Sequence, residues 1–515
     1  SAWNNAYGSL VSALTAAQAV MVTIYIKSGS TALDAGDYKL FSSLRNALAF
    51  RIITFFLTIY GGNNFAQIRD AYFDLGLDAK QEFRLRIGQS KVPFGFENLQ
   101  SSQNRTPLDR NDGLNSAVAN ERDIGVMFYY APTIIRERFR HLVSSGLKGS
   151  GDYGVFGLGL YNGQTANSIE RNNNQHVVAR FTYPIEFDNG QIFEAGIQAY
   201  NGKYVVNTLT TGAAKAKLEN NNPEYLDQRT AASLILYPKP FGFQAEYNIG
   251  RGPRYNPASN TIENSHLEGG YVLLNAKTKI KNNIVFPFLK YHYYNGGKKH
   301  ELDARSYKVN ELEFGVEGVM FNNKLRFDLS LYEKNTRDLI TQAPIDPSTG
   351  FTSTAINIGK IRTRGAEFQA TVTPVSTASG FEWTSTLNWG MYRTTVVELG
   401  GGLEEVVIAG FTDLGNFAIP GQPFNIIKGI GFDRDPATGQ PIILSNGVHK
   451  PTNEPVVLGD PNPAWTGSFI NSFSYKGFTL SAMMEYRHKG VIMSNTVTAT
   501  LARGVTKLKR GRGVK

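Results

Sequence analysis

Several stretches of this chain alternate between apolar and polar residues with a period of two. Leu85 and Ile87 are apolar, for example, whereas Arg84 and Arg86 beside them are charged. Successive side chains of a β-strand point to opposite faces, so such a stretch predicts a strand with one apolar and one charged face. The same alternation recurs at 191–202, 325–335, 366–372 and 478–488. The period predicts a chain built mainly from strands rather than helices.

The segments between these strands differ in length in a regular way. Short turn signals such as Asp-Asn-Gly (188–190) and Tyr-Lys-Gly (475–477) separate some strands. Long polar stretches separate others, at 98–122, 201–228, 250–267, 335–360 and 393–463. Short turns at one end and long loops at the other are typical of outer-membrane barrels, whereas a soluble sandwich places long loops at both ends. We therefore expect an all-β fold, a transmembrane antiparallel β-barrel of about 16–18 strands with short periplasmic turns and long extracellular loops.

The composition and motifs of the chain exclude several kinds of functional site. The chain has 515 residues and no cysteine, which excludes disulfides, thiolate metal sites and thiol catalysis. It contains no His-Glu-x-x-His motif, no Walker loop and no Gly-x-Ser-x-Gly motif, so we expect no enzyme activity, no cofactor and no metal site. The stretch 433–439 is similar to a calcium loop, but Ala437 occupies a ligand position, which favours a turn. Residues 1–26 are uncharged but too polar for a membrane-spanning helix.

Positive charge is concentrated in two parts of the chain. The formal net charge is +10, and the tail 503–515 contains six cations and no acid. The remaining chain is only mildly cationic, so we expect no nucleic-acid partner. The second part is the polar face of the predicted strands and the first long loop. The candidate pore-lining, anion-binding residues there are Arg84, Arg86, Lys91, Arg105, Arg110, Arg122 and Arg180.

Two interpretations of these seven cations are open. Guanidinium groups match the geometry of phosphate, and a ring of them in a narrow pore would concentrate anions. Alternatively, the cations pair with acids such as Glu97, Asp109 and Glu121 and only keep the pore wall polar.

The first half resembles a known family. The stretches LRIGQSKVPFGFENLQSSQNRTPLDRND (85–112), ERDIGVMFYY (121–130) and YGVFGLGLYNGQTAN (153–167) are similar to the phosphate- and polyphosphate-selective porins, the O and P porins. The similarity extends over about residues 61–315. It implies a barrel of about 16 strands, often a homotrimer, that conducts anions past basic side chains. It also implies that Lys91, Arg105 and Arg110 lie near the constriction.

The second half resembles a different family. The stretches GVMFNNKLRFDLSLYEKNTRDLI (318–340) and LGDPNPAWTGSFINSFSYKGFTLSAMMEYRHKG (458–490) look like the C-terminal barrel strands of SusC-like TonB-linked transporters. That similarity extends over about residues 317–507. It implies TonB and a SusD-like lipoprotein as partners.

The chain therefore looks like a mosaic of two barrel families, and both a natural fusion and a composite of two sequences fit it. The expected divisions are N-terminal strands at 1–60, a porin-like half at 61–316, a transporter-like half at 317–502 and a basic tail at 503–515.

Three functional hypotheses follow. The favoured one is an outer-membrane porin of a Gram-negative bacterium of the Bacteroidetes type, surrounded by outer-membrane lipid, that passes small, phosphate-like anionic solutes passively. The second is the barrel of a TonB-dependent importer of glycans or peptides. The third is a soluble all-β binding protein, which would need no detergent for solubility.

Overall fold

The computed structural model describes residues 51–500, apart from 63–64, 108, 209–215, 339, 345, 347, 349–352, 358, 411–412, 495 and 498–499. The expected strands before residue 51 and the basic tail 503–515 lie outside these described residues. Within them, no helix is both long enough and apolar enough to cross a membrane.

Antiparallel strands dominate the described residues. The strands are β1 (Arg51–Gly62), β2 (Phe65–Gly76), β3 (Phe83–Lys91), β4 (Arg122–Tyr130), β5 (Phe156–Tyr161), β6 (His176–Glu186), β7 (Ile192–Val205), β8 (Lys217–Leu218), β9 (Glu224–Leu236), β10 (Phe241–Asn256), β11 (Thr261–Ala276), β12 (Thr278–Ile280), β13 (Asn283–Gly297), β14 (Ser306–Met320), β15 (Leu325–Arg337), β16 (Ile340–Pro344), β17 (Ser353–Asn357), β18 (Lys360–Ser376), β19 (Glu382–Glu398), β20 (Val406–Gly410), β21 (Leu414–Ala418), β22 (Ile426–Gly429), β23 (Val456–Gly459), β24 (Trp465–Tyr475) and β25 (Phe478–His488). The helices are α1 (Phe96–Leu99), α2 (Asp112–Asn115) and α3 (Thr133–Ser144).

One large sheet contains nineteen of these strands. Seventeen of them pair antiparallel in chain order, β1 to β7, then β9 to β11, β13 to β15, β18, β19, β24 and β25. Their number agrees with the predicted 16–18 strands, and the sheet continues without a break through the expected junction between the two halves. Within the described ranges no pairing joins β25 to β1.

The two faces of the sheet are the reverse of those in a soluble protein. On β6, Val177 and Phe181 are 44% and 51% exposed, whereas Arg180 and Thr182 on the other face are buried. A soluble sheet buries its apolar face, so this arrangement is that of a membrane barrel with lipid outside and a polar lumen inside. The fold is therefore the transmembrane antiparallel β-barrel that the alternation predicted.

Connection lengths separate the two ends of the barrel. Turns such as 187–191, 321–324 and 476–477 lie at the short-turn end, as predicted. At the long-loop end, the segment 399–464 contains a separate four-stranded sheet of β20 to β23. One predicted loop was wrong: most of 250–267 belongs to β10 and β11, because these strands stay paired as far as Asn256 and Thr261. A four-residue turn joins them.

Two segments leave the barrel wall and enter the lumen. The inner loop, residues 92–121, connects β3 to β4 at the long-loop end and contains α1 and α2. The inner strap, residues 131–155, connects β4 to β5 at the short-turn end and contains α3. The strand β3, which leads into the inner loop, packs closely against β2. At Gly88 of β3, where φ is +123°, a Cβ atom would lie 2.2 Å from the carbonyl oxygen of Ala71.

Candidate functional site: the barrel lumen

The inner loop fills part of the lumen with apolar side chains. Phe94 and Leu114 are fully buried, and the Phe94 ring meets the Tyr200 ring of β7 edge to face with centroids 4.9 Å apart. Tyr271 and Leu273 of β11 belong to the same buried cluster. Burial of these side chains favours the inserted position of the loop, since exposing them to lumen water would cost roughly 1.5–3 kcal/mol for each large side chain.

Charged groups of the barrel wall hold α1 in place. The Glu246 carboxylate of β10 accepts hydrogen bonds from the backbone N–H groups of Phe96 (2.5 Å) and Glu97 (2.8 Å). The Lys290 ammonium of β13 lies 2.6 Å from the Glu97 carboxylate, and both side chains are about 1% exposed. The backbone N–H of Asn111 donates to the other Glu97 oxygen at 2.7 Å.

These contacts set the protonation of Glu97. Burial alone would raise the pKa of Glu97, but the charges of Lys290 and Arg105 and the hydrogen bond from Asn111 outweigh it and hold that pKa below its usual value. Glu97 is therefore a carboxylate at neutral pH, and its attraction to Lys290 ties the inner loop to the opposite part of the wall.

A second set of contacts holds α2. Arg229 of β9 donates to the Gly113 carbonyl, to the Ser116 hydroxyl (2.9 Å) and to the Ser116 carbonyl (3.2 Å). The Asn111 side chain donates to the Gly270 carbonyl of β11 at 2.9 Å. Lys298 forms an ion pair with Asp112 at 2.8 Å. The inner loop is thus fixed to β9, β10, β11 and β13.

The predicted cations on the strands already have protein partners. Arg84 pairs with Asp152 (2.6 Å), Arg86 with Asp74 (2.7 and 2.8 Å) and Arg122 with Asp70 (2.9 Å). Arg180 donates to Gln198 (3.0 Å) and Glu194 (3.3 Å).

The predicted cations near the constriction also have protein partners. Lys91 donates to the backbone carbonyls of Asn98, Leu99 and Gln100 at 2.6–3.2 Å. Arg105 donates to the Pro107 carbonyl, and Arg110 pairs with Glu121 at 2.7 Å. These contacts are the ones expected if the cations pair with protein groups, and Glu121 is one of the acids that the sequence suggested as a partner. Anion binding by the seven residues stays a prediction.

Three wall residues that anchor the inner loop were absent from the predicted site. Arg229, Glu246 and Lys290 lie on β9, β10 and β13, at alternate positions whose neighbours face lipid. Alternation could have placed them in the lumen, but a contact with a loop more than a hundred residues away in the chain has no local signal.

The wall formed by β18, β19 and β24 has a different lining, with mainly neutral polar side chains. Gln369 donates to Asn388 at 2.7 Å, and Asn388 donates to Ser468 at 2.9 Å, so amides and hydroxyls form a ladder across β18, β19 and β24. A cavity of about 750 Å³ lies here. Its charged lining residues are the acids Asp328, Glu367 and Glu485 and the cation Arg487. This part of the wall therefore has no excess of positive charge toward a solute.

The remaining motifs behave as turns or strands. Asp435 accepts hydrogen bonds from the backbone N–H groups of Ala437 (2.9 Å) and Thr438 (2.8 Å), which confirms a turn at 433–439. Residues 156–161, which include Gly157 and Gly159, form the strand β5. In the part of the chain that the structure describes, no cluster of three metal-ligating side chains occurs.

Comparison with known families agrees with this architecture. Residues 56–284 match the family model described as phosphate-selective porin O and P. Residues 290–504 match the model described as TonB dependent receptor-like, beta-barrel. Two outer-membrane β-barrel families match successive halves of this chain. The two resemblances suggested by the sequence are therefore confirmed, and the two matches meet at the start of β13, earlier than the sequence suggested. The protein belongs to the outer membrane of a Gram-negative bacterium.

Similar curated proteins include two that are named as TonB-dependent receptors. TonB-dependent receptor P26 of Formosa agariphila is 30% identical over 197 residues, which are 34% of this chain and 19% of that protein. TonB-dependent receptor P39 of the same organism is 26% identical over 219 residues, 34% of this chain and 21% of that protein. The chain thus spans about a fifth of the length of these relatives.

Similar solved structures include the RagAB peptide transporter and the copper transporter OprC. The RagAB match has 13% identity and a TM-score of 0.43, covering 82% of this chain and 47% of that one. The OprC match has 10% identity and a TM-score of 0.34, covering 82% and 62%.

Proposed function

We propose that this chain forms the barrel of a TonB-dependent outer-membrane importer of nutrient solutes and performs no catalytic step. The match of residues 290–504 to the TonB-dependent receptor barrel carries the proposal, and the names of the curated relatives support it. On this proposal TonB supplies the energy for import. A SusD-like lipoprotein covers the long-loop end, as the resemblance to SusC-like transporters implies.

The contacts in the lumen support import over passive anion flow. An entering phosphate would have to displace Asp74 from Arg86 or Asp152 from Arg84, because both guanidinium groups are buried and already paired. Breaking a buried ion pair is costly, since the partner charge is left without compensation. A solute that follows β18, β19 and β24 instead meets amides, hydroxyls and acids.

A passive anion porin is the second candidate, since residues 56–284 match the phosphate-selective porins. On that reading the seven cations attract anions and the barrel is a homotrimer. The two candidates differ in what the isolated protein does without an energy source.

Single-channel recording in planar lipid bilayers separates the candidates. The full chain is reconstituted in potassium chloride and then in potassium phosphate, after heat-modifiable electrophoretic mobility has confirmed folding. An importer barrel should give no steady open channel in either salt. A steady channel with an anion-selective reversal potential, inverted in the Arg84→Glu/Arg86→Glu variant, would overturn the proposal in favour of the porin.

A further inference from the structure

The inner strap crosses the lumen at the short-turn end. On α3, Ile135, Phe139 and Leu142 are buried at a spacing that places them on one helix face. They pack against Ile192 of β7 and Ile235 of β9, which alternate with lipid-facing residues and so point into the lumen. The helix therefore lies inside the mouth of the barrel rather than outside its wall.

Polar contacts tie the start of the inner strap to the near wall. Arg136 donates to the Gln81 carbonyl at 2.7 Å, in the turn before β3, and to Asp152 at 2.9 Å. Arg138 donates to the Pro184 carbonyl at 2.7 Å and to Glu186 at 2.9 Å, at the end of β6. Together with the apolar face, these contacts fix α3 on the β3 to β9 side.

The strap tip, residues 145–150, reaches the far wall. Lys277, between β11 and β12, donates to the Ser145 carbonyl at 2.5 Å. Lys148 of the tip forms an ion pair with Glu317 of β14 at 2.5 Å. Eight strands separate β14 from β3 in the sheet, nearly half of the seventeen. The inner strap thus extends from one side of the lumen to the other, and polar contacts join its tip to the far side.

The tip also contacts the inner loop, on the side of that loop that faces the short-turn end. Gln100 donates to the Lys148 carbonyl at 2.6 Å, and Asn104 donates to the Gly149 carbonyl at 2.5 Å. Lys148 itself has φ of +68°, a left-handed conformation that is strained for lysine, and Gly146 and Gly151 on either side also have positive φ. The contacts of the tip stabilise this left-handed conformation of Lys148. Gly146 and Gly151 allow the backbone on either side of the tip to rotate when those contacts break.

We propose that the strap tip is a gate at the short-turn end, latched by the Lys148–Glu317 ion pair, that opens while α3 stays packed on the near wall. The proposal rests on the proposed transport function, because a solute leaving the lumen must pass this end. Opening breaks a few polar contacts and moves Leu147, which is partly buried at the edge of the α3 cluster, whereas the fully buried members Phe139 and Leu142 stay in place. The tip is therefore the weaker part of the barrier.

Thiol labelling tests the gate without any solute. Ser150 of the tip is buried, and its hydroxyl has no hydrogen-bond partner among the described residues. Because the natural chain has no cysteine, Ser150→Cys places a single, nearly isosteric thiol under the closed tip. In the folded full chain in lipid vesicles, a bulky polar maleimide should label this thiol slowly. Adding Lys148→Glu should accelerate labelling about tenfold, because like charges then face each other and shift the local opening equilibrium.

The charge-swapped variant Lys148→Glu/Glu317→Lys should restore slow labelling, which a loss of folding could not do. Arg364→Glu is the matched control, because it reverses one charge in the exposed Arg364–Glu333 pair of β18 and β15 and should leave the rate unchanged. The gate would be overturned if Ser150→Cys were labelled at the same rate alone as in combination with Lys148→Glu. The same rate in combination with the milder Lys148→Met would also overturn it. Accelerated labelling together with a steady anion-selective channel would keep the gate and overturn only the importer.

Discussion

The ion pair between Lys290 and Glu97 offers the sharpest test of how the inner loop is held. Both side chains are about 1% exposed, and their charged atoms are 2.6 Å apart. Lys290→Met keeps most of the volume of the lysine stem but removes its charge. The carboxylate of Glu97 then keeps the N–H of Asn111 as a donor and the charge of Arg105 nearby, but it loses Lys290, the cation with the greater effect on it.

The magnitude follows from that burial. Removing one partner of a buried ion pair destabilises a protein by about 3–5 kcal/mol, because the remaining charge stays desolvated. Replacing both partners by apolar residues costs far less, since no buried charge remains. Glu97→Met/Lys290→Met should therefore recover much of the stability that Lys290→Met loses. An exposed pair such as Arg364–Glu333 is worth less than about 1 kcal/mol, so Arg364→Met is the matched control.

Urea unfolding in lipid vesicles provides the measurement, with fluorescence of the four tryptophans as the signal. The free energy of unfolding should fall in the order wild type, Arg364→Met, double variant and Lys290→Met. A Lys290→Met variant as stable as Arg364→Met would refute the reasoning that this pair anchors the inner loop. A double variant less stable than Lys290→Met would refute the part that assigns the loss to an uncompensated carboxylate.

Three further predictions concern the strap, the inner loop and the wall. Phe139→Ala should lower the free energy of unfolding by about 3–5 kcal/mol, measured by the same urea titration, because the ring is buried in the α3 cluster. Since the pKa of Glu97 is held below its usual value, its stabilising effect should persist at neutral pH and disappear as the pH falls through that lowered pKa. Lys290→Met raises that pKa, so urea midpoints against pH should show a smaller loss of stability on acidification than in the wild type, and an equal loss would contradict it. Gly88→Ala should prevent correct pairing of β2 with β3, because its Cβ would lie 2.2 Å from a backbone oxygen, whereas Gly390→Ala, with its nearest atom at 3.8 Å, should keep the heat-modifiable mobility of the folded barrel.

The barrel wall could be predicted from the sequence because alternation is a local property. The two faces of β3 are already defined by its alternating residues, with Leu85 and Ile87 on one face and Arg84 and Arg86 on the other. The other strands of the wall alternate in the same way. The stretch 250–267 was misassigned as a loop because Gly250, Gly252 and Pro253 resemble turn residues. Pairing with β9 and β11 overrides that local preference.

The contents of the lumen were harder to predict. The helical spacing of Ile135, Phe139 and Leu142 was readable, but the position of α3 inside the mouth depends on Ile192 and Ile235, which are distant in the chain. The role of each cation depends in the same way on the acid that the fold brings to it. A lone arginine on a polar face is equally compatible with an anion site and an ion pair, and only three-dimensional contacts distinguish the two.

The direction of the outermost strands has a consequence for completing the barrel. Each of the seventeen consecutive strands runs opposite to its neighbour, so β1 and β25 point the same way. Two parallel edges cannot close by the antiparallel pairing that joins all the others. Bacterial single-chain barrels have an even number of strands. Antiparallel closure of this cylinder therefore requires an odd number of additional strands between β25 and β1.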